Sequence, residues 1–338
     1  MSAPGPNVSP ALFFDTVNAY QQTAAIKAAL DLDLFTAVAE GKESAQEIAE
    51  KCRASERGTR ILCDYLTILG FLTKQDDRYR LTPDSAFFLD RRSPAFIGGI
   101  TEFLLSPMLT DGFKDLAGAV RKGGTVMSEE GTVSVENPIW VQFARAMASL
   151  QAMPAQLLTK LLAGESDHKL KVLDIAAGHG VFGITFAQEN PNAEITALDW
   201  PNVLEVAKEN AERAGVIDRY NLLAGSAFDV DYGSDYDLVL ITNFLHHFDQ
   251  QTCVKFLKKV HEALAEGGRA VTLDFVPNED RVTPPDTAKF SLIMLGSTPQ
   301  GDAYTFSELE GMFASAGFSR SELHEIPPAI NQVVISYK

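Results

Sequence analysis

Through the first half of the chain, apolar positions recur at helical spacing. From Lys171 onward they gather into short runs separated by amphipathic stretches. In ALFFDTVNAYQQTAAIKAALDLDLFTAVA, Phe13, Val17, Tyr20 and Ala24, then Ile26 and Leu30, fall three or four apart, which predicts helix. SAQEIAEKC opens on Ser44 with Glu47 three residues later, the pattern of a capping box. SERGTRILCDYLTILGFL places Ile61, Leu62, Tyr65, Leu66 and Leu69 on one side, with Gly70 as its stop. LTKQDDRYRLT alternates around a polar turn and reads as a hairpin. The region from Pro10 to about Ser93 is therefore expected to be short helices ending in a small hairpin, the element order of a winged helix. From about Phe96 to Gly164 the chain is mostly helical in pattern. Within it Trp140, Phe143, Met147, Leu150 and Met153 recur at helical spacing. Such a stripe reads as core packing or as an aromatic and methionine wall facing a flat apolar substrate.

The second half alternates KVLDIA, ITALDW, NLLAGS, YDLVLIT and RAVTLDFVP with helical stretches, the signature of a doubly wound parallel sheet. SRSELHEI and QVVISY close the chain. A short loop joins them, so they must pair antiparallel, because a parallel return needs a crossover of a dozen or more residues. The predicted fold is α/β: a Rossmann-like seven-stranded sheet with a C-terminal antiparallel hairpin, behind a mostly helical winged-helix domain. Three regions are expected: 1–100, winged-helix-like; 101–164, a helical linker with the substrate wall; and 165–338, the sheet.

Charge narrows the partners. The 338 residues carry a net charge of −16, which weighs against nucleic acid and against an anionic membrane surface. Residues 1–100 hold eleven Lys and Arg against thirteen Asp and Glu. A DNA-reading winged helix normally carries a positive face, so here the shape is expected to serve packing, with Phe13 and Phe14 buried against a second copy. Cys52, Cys63 and Cys253 form no paired motif, which predicts a reducing, cytoplasmic setting. MSAPGPNVSP lacks a basic segment followed by an apolar core and reads as a tail rather than a secretory signal. No apolar run approaches the ~20 residues of a membrane span.

The candidate chemistry begins at KVLDIAAGHGVFG. Gly178, Gly180 and Gly183 form a G-x-G-x-x-G, which in a dinucleotide fold sets a pyrophosphate on a helix N-terminus. Asp174, at the end of the preceding strand, is expected to stand near that position and repel phosphate. A phosphate-free, positively charged ligand such as S-adenosylmethionine then fits better than NAD. Asp199 ends the next strand, about 20 residues past the loop, where an acid accepts hydrogen bonds from ribose hydroxyls. The strand in NLLAGSAFDVD should end near Ala224, which puts Ser226, Ala227 and Phe228 at the adenine end of the same crevice.

VLDIAAGHG, ALDWPNVLEVAKENA, GSAFD, LITNFLHHFDQQTCVKFLKKVHEAL and FSLIMLGSTPQGDAYTFSELEGMFASAGF together resemble the class I S-adenosylmethionine-dependent methyltransferases. More narrowly they resemble the small-molecule O-methyltransferases related to caffeic acid and hydroxyindole O-methyltransferases, which have an N-terminal winged-helix dimerisation domain. The resemblance runs from Pro10 to Lys338. It implies a homodimer acting on a small, aromatic hydroxyl compound, with S-adenosylmethionine as cofactor and no metal. It also implies that Ala176, Gly178, His179 and Gly180 cradle the methionine part, with Asp174 beside them. Asp199 and Trp200 would border the ribose; Ser226, Ala227, Phe228, Asn243 and Phe248 would border the adenine side. His246, just after the fourth strand, takes the position of the family's general base. A phenol titrates near 10 and imidazole near 6.5, so a neutral imidazole is suited to take the proton as oxygen attacks carbon.

Asp274 aligns with an acid that orients that base. A second acid position falls on Ala303, which cannot serve; Asp302 is its neighbour. Trp140, Phe143, Met147, Phe290 and Met294 are the candidates for the substrate wall, and the partner subunit is a candidate source of Phe13 or Phe14. His247 is expected to be a satisfied structural histidine, and His179 either a turn residue or a contact to the cofactor carboxylate. Three rivals remain at this level: a sulfur, nitrogen or carbon acceptor on the same fold; a non-catalytic S-adenosylmethionine-sensing regulator; and an NAD-dependent oxidoreductase.

Overall fold

The computed structural model describes residues 8–162 and 169–338. The opening MSAPGPN and the boundary expected at 164/165 lie outside the described residues. The chain divides into two compact units after Thr101.

The first unit begins with α1 (Ala11–Asp31), a single helix of 21 residues where short helices were expected, followed by α2 (Leu34–Ala39). Next come α3 (Ala45–Cys52) and α4 (Glu56–Ile68). The hairpin β1 (Leu72–Gln75) and β2 (Arg78–Leu81) leads into α5 (Pro83–Phe88). Ser44 and Glu47 cap α3 reciprocally, and Gly70 takes a positive φ of 87° just past α4, as their spacing predicted. Leu34, Phe35, Ile48, Leu66, Leu72 and Tyr79 form its core. Four cations of α4 and the hairpin are internally paired: Arg60 (2.9 Å) and Lys74 (2.8 Å) with Asp64, Arg78 (3.3 Å) and Arg80 (3.0 Å) with Glu43. Along α1, by contrast, Phe13, Phe14, Val17 and Tyr20 are more than half exposed (64, 55, 54 and 68%).

The second unit opens with the short helices α6 (Thr101–Leu104), α7 (Pro107–Thr110) and α8 (Leu116–Lys122), then the long α9 (Ile139–Leu162). The parallel strands are β3 (Leu170–Ile175), β4 (Ala193–Asp199), β5 (Tyr220–Ala224), β6 (Tyr236–Thr242) and β7 (Leu264–Asp274). Between them run α10 (Val181–Glu189), α11 (Pro201–Arg213) and α12 (Gln250–Ala263). After β7 come α13 (Pro285–Ala288), α14 (Phe290–Ser297), α15 (Phe306–Ala316), β8 (Arg320–Glu325) and β9 (Gln332–Tyr337). The sheet order is β5-β4-β3-β6-β7-β9-β8, with β9 antiparallel to both β7 and β8. Two apolar clusters sandwich it. One packs α9, α10 and α11 over Val172, Ile195, Leu238 and Leu240; the other packs α12 and α15 over Leu173, Ile175, Val239 and Ile241. From β3 the chain crosses left to β4; its right-hand neighbour is β6. The switch point, where ligands settle in such sheets, therefore lies at the carboxyl ends of β3 and β6.

Along α9 the buried stripe runs through Ala144, Met147, Gln151, Pro154, Ala155 and Leu158. Leu150 and Met153, expected on the same face as Trp140, are exposed at 40 and 43%. A helix of 3.6 residues per turn carries the stripe from 147 to 151 and 154, so those two positions rotate off it.

Candidate active site

The loops after the carboxyl ends of β3 to β7 carry the site, with β3 and β6 at the switch point. The loop after β3 turns through positive φ at Ala176 (54°), Gly178 (58°) and Gly180 (73°), and the loop after β6 does so at Asn243 (52°). A Cβ on Gly178 would meet nothing closer than the Phe143 ring at 3.7 Å, an ordinary van der Waals contact, so its positive φ rather than crowding is what favours glycine there. Asp199 ties the loop down: its Oδ2 accepts from Gly178 N–H (2.8 Å) and its Oδ1 from Trp200 N–H (2.7 Å). Each oxygen keeps a further lone pair, and the half-buried carboxyl is pushed up to about 6 by desolvation.

Asp174 is not where its position in the loop suggested. The carboxyl is fully buried under α10, and Oδ2 accepts from Gly183 N–H (3.0 Å) while Oδ1 has no partner among the described residues. A Cβ on Gly183 would lie 2.8 Å from that Oδ2, which explains the third glycine of the motif. Gly180 is the N-cap of α10 and has no side chain to cap with. Asp174 caps from behind instead, and His179 Nδ1 accepts from Val181 N–H (3.1 Å). Desolvation pushes Asp174 up to about 7 and His179 down to about 4. The idea of an anion guarding the cradle is therefore wrong. Asp174 faces the protein interior, and it does not contact ligand space.

The ligand preference survives on other grounds. Two first-turn donors of α10 are already used, by His179 and Asp174. The crevice segments 174–183, 199–200, 226–228 and 243–248 contain no Lys or Arg. A diphosphate would find little to hold it. A diol for Asp199 and a flat base beside aromatic rings fit what is present. Phe228 packs edge-on against Phe248 (4.9 Å between centroids) and near Phe244 (6.2 Å). Phe244 went unnoticed in the sequence, although it precedes Phe248 by four residues. Ser226 Oγ accepts from Phe228 N–H (3.1 Å), and Ala227 is buried. Their carbonyl side is braced by two residues the sequence reading also missed. Lys259 Nζ donates to Phe228 O (3.1 Å), and the Tyr232 hydroxyl donates to Ala227 O. Asn243 Oδ1 accepts from Asn331 (3.4 Å).

Across the crevice, a 3-10 turn Leu245–His247 follows β6. His246 Nδ1 and Asp274 Oδ1 are 2.6 Å apart, both 3% exposed. Aspartate therefore reaches the histidine despite its short side chain. Phe275 N–H donates to the same oxygen (2.8 Å). With Asp274 accepting at Nδ1, the proton sits there and the Nε2 lone pair is left free. Phe290 meets the His246 ring edge-on at 4.8 Å and stacks on Phe275 at 3.9 Å, a residue the sequence reading passed over. Trp140 lies edge-on to His247 (5.1 Å) and to Phe143 (5.9 Å), and Phe143 stacks on His179 (6.0 Å). Trp140, Phe143 and Phe290 are thus brought to the histidines. Met147 and Met294 are 9 and 3% exposed and belong to the packing behind them.

His247 is not the satisfied histidine expected. It is half-buried, its enclosed Nδ1 has no partner among the described residues, and burial with the adjacent His246 drives its pKa well down. Asp302 is not a second orienting acid. It pairs with Arg281 (3.1 Å) and accepts from Ala303 N–H (2.8 Å).

Known proteins resemble this chain in sequence and fold. A family model described as the O-methyltransferase domain matches residues 113–319, and one described as the O-methyltransferase dimerisation domain matches residues 14–91. A 3-hydroxy-5-methyl-1-naphthoate 3-O-methyltransferase from Streptomyces sahachiroi is 27% identical, over 97% of this chain and 95% of that one. A crystal structure of a candidate O-methyltransferase from Nostoc punctiforme superposes with a TM-score of 0.96 at 60% identity, over 98% of this chain and all of the other. Human N-acetylserotonin methyltransferase in complex with S-adenosylmethionine gives 0.85 at 23% identity, over 99% of each chain, a likeness of fold. Among the described residues no helix is long and apolar enough to cross a membrane.

Proposed function

The chain belongs to the S-adenosylmethionine-dependent O-methyltransferase family, and we propose that its acceptor is a hydroxyl on a small aromatic molecule and that His246 is its general base. The observation that carries this reading is the buried 2.6 Å contact between His246 Nδ1 and Asp274, with Phe290 edge-on to the imidazole. When bound, the cofactor supplies a methyl group made electrophilic by its sulfonium. Asp199 would hold the ribose diol, the Ala176–Gly180 loop the methionine part, and Phe228 and Phe248 the base. His246 Nε2 takes the acceptor hydroxyl's proton while the oxygen forms its bond to carbon. Asp274 fixes the tautomer beforehand and offsets the positive charge that the imidazole gains. The aromatic rings of Trp140, Phe143 and Phe290 support a flat apolar acceptor held in line with the reacting carbon.

The division of labour we infer gives residues 1–100 to pairing of two copies, 101–164 to the substrate wall and 165–338 to cofactor and catalysis. The exposed Phe13, Phe14, Val17 and Tyr20 on α1 support the pairing, with Phe13 or Phe14 reaching the partner's substrate wall. The test is product analysis after incubation with S-adenosylmethionine and a panel of phenols, thiols and amines. Methyl ethers of phenols are expected. Methylation confined to thiols or amines would overturn the acceptor assignment.

A further inference from the structure

Three glycines far from the cofactor loop sit where only glycine fits. A Cβ on Gly112 would overlap the carbonyl oxygen of Gly296, one on Gly124 that of Pro299, and one on Gly131 that of Ser297. Backbone is thus laid on backbone, and no side-chain rotation can relieve an added methyl. The strap 112–132 thereby grips the turn that ends α14. Two hydrogen bonds join the same surfaces: Thr125 N–H donates to Thr298 O (2.9 Å), and Thr132 Oγ1 to Ser297 O (3.2 Å).

The gripped turn leads to the base. Thr298 is completely buried. Its backbone N–H and its hydroxyl both donate to Met294 O (2.8 Å each), closing α14, and the hydroxyl accepts from Gly301 N–H (2.9 Å). Gly301 in turn lies against the main chain of the catalytic turn: a Cβ there would overlap the His246 carbonyl oxygen and sit 3.0 Å from the carbonyl carbon of His247. The helix that Thr298 closes carries Phe290, the ring edge-on to His246. One buried residue therefore stands between them: its backbone oxygen takes the strap, and its hydroxyl joins the substrate-wall helix to Gly301, which lies on the backbone of His246.

We propose that Thr298 is a positioning residue for methyl transfer, and that the glycine strap 112–132 acts through it to set the His246 turn and Phe290. The inference rests on the reading of His246 as the base. Because misplacement by about 1 Å can cost 100-fold, Thr298→Val is expected to lower kcat about 10- to 100-fold. S-adenosylhomocysteine affinity should fall by less than about threefold, since the methionine loop and Asp199 follow β3 and β4 and only Asn243 and Phe248 share the loop that carries His246.

The experiment uses the full chain, with 1-naphthol as acceptor, calorimetry of S-adenosylhomocysteine binding, and the imidazole ¹⁵N spectrum of His246 assigned against His246→Gln. Thr298→Ser keeps the hydroxyl and should retain activity. Thr298→Val should lose turnover and mix the His246 tautomers. Gly124→Ala should behave as Thr298→Val does, and Gly311→Ala, on an open face of α15, should match the parent. Equal turnover and unchanged His246 spectra in both Thr298 variants would overturn the proposal, as would loss of turnover only in step with loss of S-adenosylhomocysteine binding. Should Gly124→Ala fail to fold, the Thr298 pair decides. Full activity in His246→Gln would remove the base assignment alone; the spectra would still report whether Thr298 orders the turn.

Discussion

Replacing Asp174 by asparagine should stabilise the protein progressively more as pH rises. The buried carboxyl is pushed from its ordinary 3.8 to about 7, chiefly by desolvation, against the pull of its hydrogen bond from Gly183. The native state thus keeps a proton that the unfolded chain gives up. Between those two values the native state binds more protons than the unfolded one, so stability falls as pH rises. The penalty is absent below the unfolded value and complete above the folded one. Each unit is worth about 1.4 kcal/mol, so the parent loses about 3 kcal/mol through this group between pH 5 and pH 8. Asparagine cannot titrate, and its amide oxygen can still accept from Gly183. Its NH2 is left where Oδ1 has no partner, a cost of about 1–3 kcal/mol that does not vary with pH and cancels in the comparison. Both tryptophans, Trp140 and Trp200, lie in the second unit, so their fluorescence reports its unfolding in urea. The stability difference, variant minus parent, should be about 3 kcal/mol more favourable at pH 8 than at pH 5. Parallel pH dependence in the two proteins, or a difference that moves against the variant on raising pH, would show an ionised Asp174 and refute the reasoning.

Further outcomes follow from the same geometry. Asp274→Asn removes a charge-assisted hydrogen bond worth about 1.5–3 kcal/mol, so kcat should fall about 10- to 150-fold with cofactor affinity unchanged, measured by steady-state kinetics beside calorimetry. Asp199→Ala frees Gly178 N–H and Trp200 N–H and removes the diol acceptor. S-adenosylhomocysteine binding should weaken by about 100-fold or more, and binding within threefold of the parent would exclude Asp199 as the ribose contact. Phe14→Glu places a charge on the exposed face of α1, and light scattering after gel filtration should find a monomer for the variant and a dimer for the parent if the proposed pairing holds.

Much of the fold is legible because each strand of the sheet announces itself. KVLDI, ITALD and YDLVLIT are largely apolar runs with an acid or a threonine at or next to their carboxyl ends, and the loop between β8 and β9 is too short for a parallel return. His246 and Asp274 are legible as the ends of two adjacent strands, whose pairing Thr242 with Leu273 draws them together. Asp174 is a different case, because its direction depends on the pleat. Val172 and Asp174 share one face, Leu173 and Ile175 the other, and the face of Val172 is the one covered by α10. Reading the acid as part of the loop ignored that alternation. The direction of Asp302 was not legible for another reason: Arg281, its partner, is 21 residues distant and reached only through a turn. The strap glycines carry no local signature at all. They are ordinary loop residues until the α14 turn packs on them.

The central claim is that His246 takes the proton from the acceptor, and turnover of His246→Gln measures it most directly. Glutamine preserves size and polarity but offers no basic nitrogen. With S-adenosylhomocysteine affinity held equal by calorimetry, O-methylation of a phenol should drop at least about 100-fold. A variant that methylates the same phenol at the parent's rate would contradict the account.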